Sequence, residues 1–329
     1  MKNQEQTFEF QKSDYELSSL DQLINERYDI RTLELEDDYD GPVVATLLKR
    51  KGADTLKKAM LYIHGYGDYF FHEHLGAWAQ EQGFRFYALD LRKYGRSLLP
   101  HQKPSYTKNI NEYNPEISEA LRIIKEEDQI EYLVLHGHST GGLISTIYSN
   151  EGPEKDKIDA LVLNSPFFEF NAGFWGKAGI NAFAAWSRVK SATEVPTEFE
   201  GIYGKSLHKD YEGEWDYNLA WKPIKGFPLY GAWLRAVKQG HKKVQKGMDL
   251  QIPILVLCSD DSYFGTEINE DLKTKDAVLN VEHIQEYSRN LGSNVQTVVI
   301  EGAIHDIFLS RKAARQEAFK ALGAWLQAL

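Results

Sequence analysis

The stretch from residue 132 to residue 150 constrains the fold of this chain more than any other. These 19 residues include no Asp, Glu, Lys or Arg, which is typical of a buried segment. By length alone they could span a bilayer, but they contain two histidines, three glycines and several hydroxyl groups. We therefore interpret the stretch as a buried strand, a sharp turn and a helix, and predict no transmembrane segment.

Short apolar runs rich in β-branched and aromatic residues alternate with longer helical patterns along most of the chain. This alternation is typical of strands joined by crossover helices in a mostly parallel sheet. The turn sequence Asp-Asp-Tyr-Asp-Gly-Pro at 37–42 indicates that the sheet opens with a hairpin. The sequence thus predicts an α/β fold with about eight strands, at 31–36, 43–49, 59–64, 84–89, 132–136, 160–163, 254–257 and 295–300.

One long segment interrupts the alternation. Residues 167–240 carry 16 of the chain's 41 aromatic residues and five of its seven tryptophans, with no convincing strand. Because structureless loops of this length are uncommon in compact domains, we predict a mostly helical cap here, over a core formed by 1–166 and 241–329. Two interpretations of the aromatic residues stay open: they extend the core, or some of them line an apolar pocket.

The turn inside the charge-free stretch has the sequence Gly-His-Ser-Thr-Gly-Gly, at 137–142. This is the pattern G-x-S-x-G between a strand and a helix, where small neighbours permit a strained turn that exposes the serine oxygen. Ser139 is therefore the predicted nucleophile. A serine hydroxyl needs a base within hydrogen-bond reach, and the base needs a third group to orient it.

In this architecture the acid and the histidine follow the serine along the chain. The loop after the last predicted strand contains His305, which is the predicted base, whereas His283 falls in a helical pattern. The N–H groups that stabilise a developing oxyanion are expected from Thr140, directly after the nucleophile, and from Tyr66, in the glycine-containing loop after the third strand.

Three aspartates are candidates for the acid. Asp260 and Asp261 follow strand 254–257 directly, and Asp276 comes later. An acid loop, a helix, a strand and a histidine loop together take roughly thirty residues, and Asp276 precedes the histidine by 29. We therefore prefer Asp276 as the acid and interpret 262–275 as an insertion. The alternative role of Asp276 is that of a helix N-cap. Asp261 and Asp260 are the alternative acids.

Three segments resemble landmarks of the α/β-hydrolase superfamily, most closely its monoacylglycerol lipase and lysophospholipase-like branch: His-Gly-Tyr-Gly at 64–67, Ala-Leu-Asp-Leu-Arg-Lys-Tyr-Gly-Arg-Ser at 88–97, and the serine motif. The resemblance covers 57–329 except the aromatic segment, which lies where that family carries its variable cap. It implies the α/β-hydrolase fold and a serine triad, with substrate choice governed by the cap. Lys93 and Tyr94 stand where the family usually has a Gly-His or similar pair, which implies a different site entrance.

These features favour a serine hydrolase that cleaves carboxylic esters with an apolar acyl chain, through an acyl-enzyme on Ser139. The alternatives are a peptidase or thioesterase, and a receptor that kept the pocket but turns over slowly or not at all. The expected partner is a small-molecule ester or lipid. No cofactor is needed, and no metal is expected, because the His-x-His pairs at 72/74 and 136/138 show no third and fourth ligands.

The net charge of −10 has the wrong sign for a protein that neutralises nucleic-acid phosphates. It also opposes binding to anionic bilayers, so we expect no stable membrane insertion. A single cysteine, Cys258, cannot form an internal disulfide, and the first residues lack the apolar run of a secretion signal. We therefore expect a cytoplasmic protein.

Overall fold

The structure, a computed structural model, describes residues 17–171, 179, 183–184, 186–187, 191–195 and 201–329. Within them, eight strands form one sheet, which confirms the predicted α/β fold and its strands. The strands are β1 Tyr28–Asp38, β2 Gly41–Arg50, β3 Lys58–Ile63, β4 Phe84–Asp90, β5 Tyr132–His138, β6 Ala160–Asn164, β7 Ile254–Ser259 and β8 Val295–Ile300.

The strand order across the sheet is β1-β2-β4-β3-β5-β6-β7-β8. The first two strands form the predicted hairpin, and β2 also runs antiparallel to β4. All remaining neighbours are parallel. Because the carboxyl ends of parallel strands share one edge of the sheet, the loops after β3, β5, β6, β7 and β8 meet there, and ligands of open α/β sheets bind at that edge.

Helices cover both faces of the sheet. In the described part of the chain, the α-helices are α1 Ser19–Arg27, α2 Glu73–Glu81, α3 Asn114–Arg122, α4 Thr140–Glu151, α5 Ile202–Leu207, α6 Gly231–Lys246, α7 Val281–Ser288 and α8 Lys312–Gln327. Among these described helices, none combines the length and the apolarity that crossing a bilayer requires.

The central strands are buried on both faces, which explains their near-continuous apolar runs. Along β3, Leu61 and Ile63 belong to one apolar cluster, and Met60 and Tyr62 belong to another. Since side chains alternate along a strand, the two clusters lie on opposite faces of the sheet. The sheet is therefore the rigid platform on which the loops at its carboxyl edge are mounted.

The described part of the aromatic segment contains α5 and the start of α6. Trp233 is buried in the first cluster, whereas the Trp186 residue is 47% exposed and Trp175 lies outside the described residues. Trp215 and Trp221 are partly buried against the second cluster. Helix α6 runs across the predicted boundary at residue 240. The division into core and cap remains a prediction.

Candidate active site

Ser139 lies between the end of β5 and the start of α4. Its backbone has φ 53° and ψ −119°, a conformation that residues with a Cβ rarely adopt. The strained turn is held by hydrogen bonds on both sides: the Ser139 N–H donates to the Asn164 carbonyl (2.9 Å), and the Ser139 carbonyl accepts from the Leu143 N–H (3.2 Å). The turn therefore presents the hydroxyl at the carboxyl edge of the sheet.

Two glycines make room for this turn. A Cβ at Gly137 would lie 2.5 Å from the Gly141 carbonyl oxygen, and a Cβ at Gly141 would lie 2.3 Å from the His64 carbonyl oxygen. Both contacts are with backbone, which cannot rotate away as a side chain can. The glycines of the motif are thus required by the close passage of β5, α4 and the loop after β3.

We expect Gly141→Ala to lower the free energy of unfolding by about 1–3 kcal/mol, as overpacking of a tight core does. Urea unfolding followed by circular dichroism measures the change. The matched control is Gly323→Ala in α8, where the new Cβ would be 3.4 Å from the Trp78 ring, an ordinary contact. Equal stability of the two variants would contradict the packing argument.

His305 and Asp276 form a hydrogen-bonded chain with Ser139. The His305 Nε2 atom is 3.0 Å from the Ser139 Oγ, and the His305 Nδ1 is 2.9 Å from the Asp276 Oδ2. A carboxylate oxygen only accepts, so Nδ1 carries the hydrogen and Nε2 offers its lone pair to the serine hydroxyl. Both side chains are buried, at 4% and 0% exposure. The arrangement can move a proton from serine to imidazole and stabilise the resulting imidazolium.

After β7, residues 263–275 form a loop whose two ends lie next to each other. Ser262 and Asp276 form an isolated parallel bridge, in which the Tyr263 N–H donates to the Asp276 carbonyl (2.8 Å) and the Asp276 N–H donates to the Asp261 carbonyl (2.9 Å). The predicted insertion is therefore a closed excursion. Asp276 therefore lies where the next residue would lie if the chain continued from β7 without this loop.

The second oxygen of Asp276 accepts the N–H groups of Val278 and Leu279, each at 2.8 Å. These bonds fix the carboxylate in the loop before α7, whose N-cap is Asn280 and not Asp276. The alternative acids point elsewhere: the Asp261 side chain is 57% exposed and pairs with Lys275, and Asp260 is exposed and accepts the Gly302 N–H.

The two N–H groups expected to bind an oxyanion lie on either side of Ser139. Thr140 is the first residue of α4, so its N–H has no partner within the helix. The loop with Tyr66 passes directly against the nucleophile, since a Cβ at Gly65 would be 3.1 Å from the Ser139 Cβ. Within the described residues, the Tyr66 N–H donates no hydrogen bond.

Aromatic rings lie beside this group. The Tyr66 ring is 4.4 Å from the Trp233 ring, centroid to centroid, and the Phe167 ring is 6.3 Å from Trp233 and 5.2 Å from Phe170. Phe167 is connected to the nucleophile through its N–H, which donates to the Ser139 carbonyl (3.0 Å). The rings therefore form a continuous apolar group next to Ser139, and Phe167, Phe170 and Trp233 come from the aromatic segment.

Sequence reasoning missed a buried polar cluster behind the histidine. Asp306 accepts from His72 Nε2 (2.8 Å) and from the Asn164 side-chain amide (2.8 Å), and its Oδ2 is 3.6 Å from His138 Nε2. Asp68 lies nearby and is paired with Lys222 (2.7 Å). Most of these residues come from separate segments of the chain, so no single spacing pattern links them.

The cluster corrects one expectation about the histidine pairs. One ligand atom each from Asp68, His138 and Asp306 lies within 4.8 Å of the others, so two carboxylates do approach one member of a His-x-His pair. However, the Lys222 ammonium and the His72 N–H already donate to these carboxylates. The chain's own donors therefore supply much of the positive charge that a metal ion would bring.

Burial and charge set the ionisation of this cluster. Burial raises the pKa of Asp306, but the imidazoles of His138 and His72 and hydrogen bonds from His72 and Asn164 outweigh it and hold the pKa well below its usual range. Burial lowers the pKa of His138 to about 4. The carboxylate of Asp306 is therefore charged at neutral pH, and the His138 ring is neutral.

Lys93 and Tyr94 are both buried, and the expected difference at the site entrance stays a prediction. Lys93 is only 1% exposed, has φ 65°, and pairs with Asp38 (2.8 Å) and Asp40 (2.7 Å) in the β1–β2 turn. The Tyr94 ring lies 4.9 Å from the His64 ring. These two residues thus connect the first hairpin to the loop that carries Tyr66.

Solved structures share this fold at low sequence identity. A soluble variant of monoglyceride lipase from Saccharomyces cerevisiae, in complex with a substrate analog, is 15% identical with a TM-score of 0.63, covering 91% of this chain and 96% of that one. The Paleococcus ferrophilus monoacylglycerol lipase is 17% identical with a TM-score of 0.58, covering 91% and 98%. A lipase in its open form is 16% identical with a TM-score of 0.65, covering 91% and 99%.

No curated protein sequence matches the chain. A family model does match: the family described as serine aminopeptidase, S33, aligns with residues 54–312. This range includes Ser139, Asp276 and His305 and is well over half of the chain. The chain therefore belongs to this serine hydrolase-type family of α/β-hydrolases, Hydrolase_4.

Proposed function

We propose that the protein hydrolyses carboxylic esters with an apolar acyl chain, with Ser139 as nucleophile, His305 as base and Asp276 as the orienting acid. The observation that carries the proposal is the hydrogen-bonded chain of these three side chains, with 3.0 Å and 2.9 Å between successive heavy atoms. Such a chain at a strained strand-to-helix turn suits nucleophilic attack on an acyl carbon.

In the proposed reaction, the Ser139 oxygen attacks the ester carbonyl while its proton moves to Nε2 of His305. The N–H groups of Tyr66 and Thr140 bind the negative oxygen of the tetrahedral intermediate. The C–O bond to the leaving alcohol then breaks, and the alcohol takes the proton from the imidazolium. A water molecule, deprotonated by the same imidazole, attacks the acyl-enzyme and releases the acid, and the proton returns to the serine.

Two features support an ester substrate over a peptide substrate, whose free amino terminus an aminopeptidase would have to bind. An ammonium group needs an available carboxylate, but among the described residues the buried carboxylates near Ser139 already accept hydrogen bonds: Asp68 from Lys222, Asp276 from His305 and Asp306 from His72. The rings next to Ser139 offer an apolar surface for an acyl chain instead. The structures similar to this chain include lipases, which agrees with this choice.

Peptide cleavage is the second candidate, because the matching family is described as serine aminopeptidase. The same triad chemistry would apply, with an amine in place of the alcohol as leaving group. The two candidates differ in what must be recognised beside the scissile bond. Aminoacyl p-nitroanilides therefore serve as the competing substrates.

We expect kcat/KM for p-nitrophenyl esters to rise at least about 10-fold between acetate and octanoate, because each buried methylene contributes about 0.8 kcal/mol. The absorbance of released p-nitrophenol, measured for esters with acyl chains of two to sixteen carbons, gives these values of kcat/KM. Aminoacyl p-nitroanilides are expected to react far more slowly. Preference for acetate would contradict the apolar acyl site, and faster release from the anilides would favour the peptidase.

A further inference from the structure

Asp306 lies directly after His305 and binds two other loops with its side chain. Its Oδ2 accepts from Nε2 of His72, in the loop between β3 and α2 that also carries Tyr66. Its Oδ1 accepts from the side-chain amide of Asn164, the last residue of β6. One carboxylate therefore connects the loop of the base to the loop of the oxyanion donor and to the end of β6.

Asn164 extends this connection to the nucleophile. Its carbonyl accepts the N–H of Ser139 at 2.9 Å, and its side-chain oxygen accepts the N–H of Ile307 at 3.2 Å. The path from Asp306 to the strained backbone of Ser139 thus crosses a single residue. A shift of the Asp306 side chain would change the hydrogen bonds that support the nucleophile.

The aromatic segment also contacts this junction. The hydroxyl of Tyr203, in α5, accepts the N–H of Asp306 at 3.1 Å, and its ring is 5.9 Å from the His305 ring with an edge-on orientation. The backbone of Asp306 is therefore held by Tyr203 as well as by the contacts of its carboxylate. The position of the His305 ring depends on both contacts.

We propose that Asp306 is a positioning residue, whose carboxylate holds the loops of Ser139, His305 and Tyr66 at the separation that the reaction requires. The inference rests on the proposed function, since it concerns the same reaction. The Asp306 side chain is 2% exposed, and within the described residues neither His72 Nε2 nor the Asn164 side-chain amide donates to any other acceptor. Misplacing reacting groups by about 1 Å can cost on the order of 10²-fold in rate.

Two substitutions separate positioning from charge. In Asp306→Asn, the amide oxygen can still accept from Asn164, and the amide NH2 faces Nε2 of both His72 and His138. The His72 ring can switch tautomer to accept this bond, since its Nδ1 has no partner within the described residues. In Asp306→Ala, all of these hydrogen bonds are lost.

We expect Asp306→Ala to lower kcat by about 100-fold, with KM changed less than about 3-fold. Asp306→Asn is expected to stay within about 10-fold of the parent enzyme, so the conservative variant rescues the loss. The rate of labelling by a fluorophosphonate should fall in the same order, because it reports the serine and histidine geometry without an ester leaving group. The control is Asp260→Asn, which removes an exposed carboxylate that accepts the Gly302 N–H in the same loop.

The possible outcomes are distinct. Unchanged kcat in folded Asp306→Ala, or a loss in kcat matched by an equal rise in KM, would overturn the inference. If the alanine variant does not fold, the asparagine variant decides between the two explanations. A kcat reduced more than about 100-fold at a normal melting temperature would assign the effect to charge and overturn positioning by hydrogen bonds. A near-parental kcat supports positioning by hydrogen bonds. A parent enzyme that is never labelled would refute the proposed function instead.

Discussion

Ser139→Ala is expected to abolish labelling by a fluorophosphonate and to lower ester turnover by about 10⁶-fold. The variant keeps the turn, the base and the acid, but it lacks the oxygen that attacks the acyl carbon. Only the two N–H donors and substrate binding then remain to accelerate the reaction. Intact mass spectrometry of the labelled protein and initial rates with a p-nitrophenyl ester measure the two effects.

The matched control is Ser145→Ala in α4. Ser145 is buried in the same helix, and its hydroxyl has no hydrogen-bond partner within the described residues. Its replacement should leave labelling and turnover at the parental level. Rapid labelling of Ser139→Ala would place the reactive oxygen on another residue. An unlabelled parent enzyme would instead favour the non-hydrolytic receptor.

Asp276→Asn is expected to lower kcat by about 10⁴-fold, with a small effect on KM. The amide NH2 cannot accept from Nδ1 of His305, so the imidazole is held in the wrong tautomer and its charged form loses the facing carboxylate. The retained amide oxygen can still accept the N–H groups of Val278 and Leu279, so the loop is expected to keep its shape. Steady-state kinetics with one ester substrate measures the loss.

Asp261→Asn and Asp260→Asn are the comparisons for this prediction. The Asp261 carboxylate is exposed and paired with Lys275, and its loss should change kcat by less than about 2-fold, in line with the small contribution of surface ion pairs. The reverse ranking, with Asp261→Asn inactive and Asp276→Asn active, would transfer the acid's role to Asp261.

The strands could be predicted from the sequence because most of them are buried on both faces. A central parallel strand such as β5 has to be apolar at successive positions, and this produces a run that is visible without any structure. The hairpin of β1 and β2 was visible for a different reason, since its turn residues are specific. Both signals are local, so one sequence suffices to read them.

The sequence favours Asp276 because of its distance along the chain from His305, and the structure gives the physical origin of that distance. Helix α7, strand β8 and the loop before His305 have ordinary lengths, so the distance from Asp276 to the histidine is ordinary too. The distance from β7 is not, because the excursion 263–275 intervenes. Only coordinates could reveal that the chain returns to pair with Ser262.

The cluster around Asp306 could not be predicted, for a physical reason. Its members come from the loops after β3 and β8, from the last residues of β5 and β6 and from the aromatic segment, and the topology of the sheet brings them together. Apart from His138, which lies in the serine motif at 137–142, none of them belongs to a motif with fixed spacing. Asp306 in particular looks, in sequence, like an ordinary helix cap following the histidine, and its side chain does also accept the Phe308 N–H.

The loop 263–275 after β7, whose two ends are held together by backbone pairing, is a site where the sequence of the protein can be exchanged. Because Ser262 and Asp276 are fixed to each other by backbone pairing, the exposed part of the peptide between them can change in length and composition without moving the carboxylate. A replacement for 263–275 that keeps a buried side chain at the position of Leu272 should leave the hydrogen bonds of Asp276 in place.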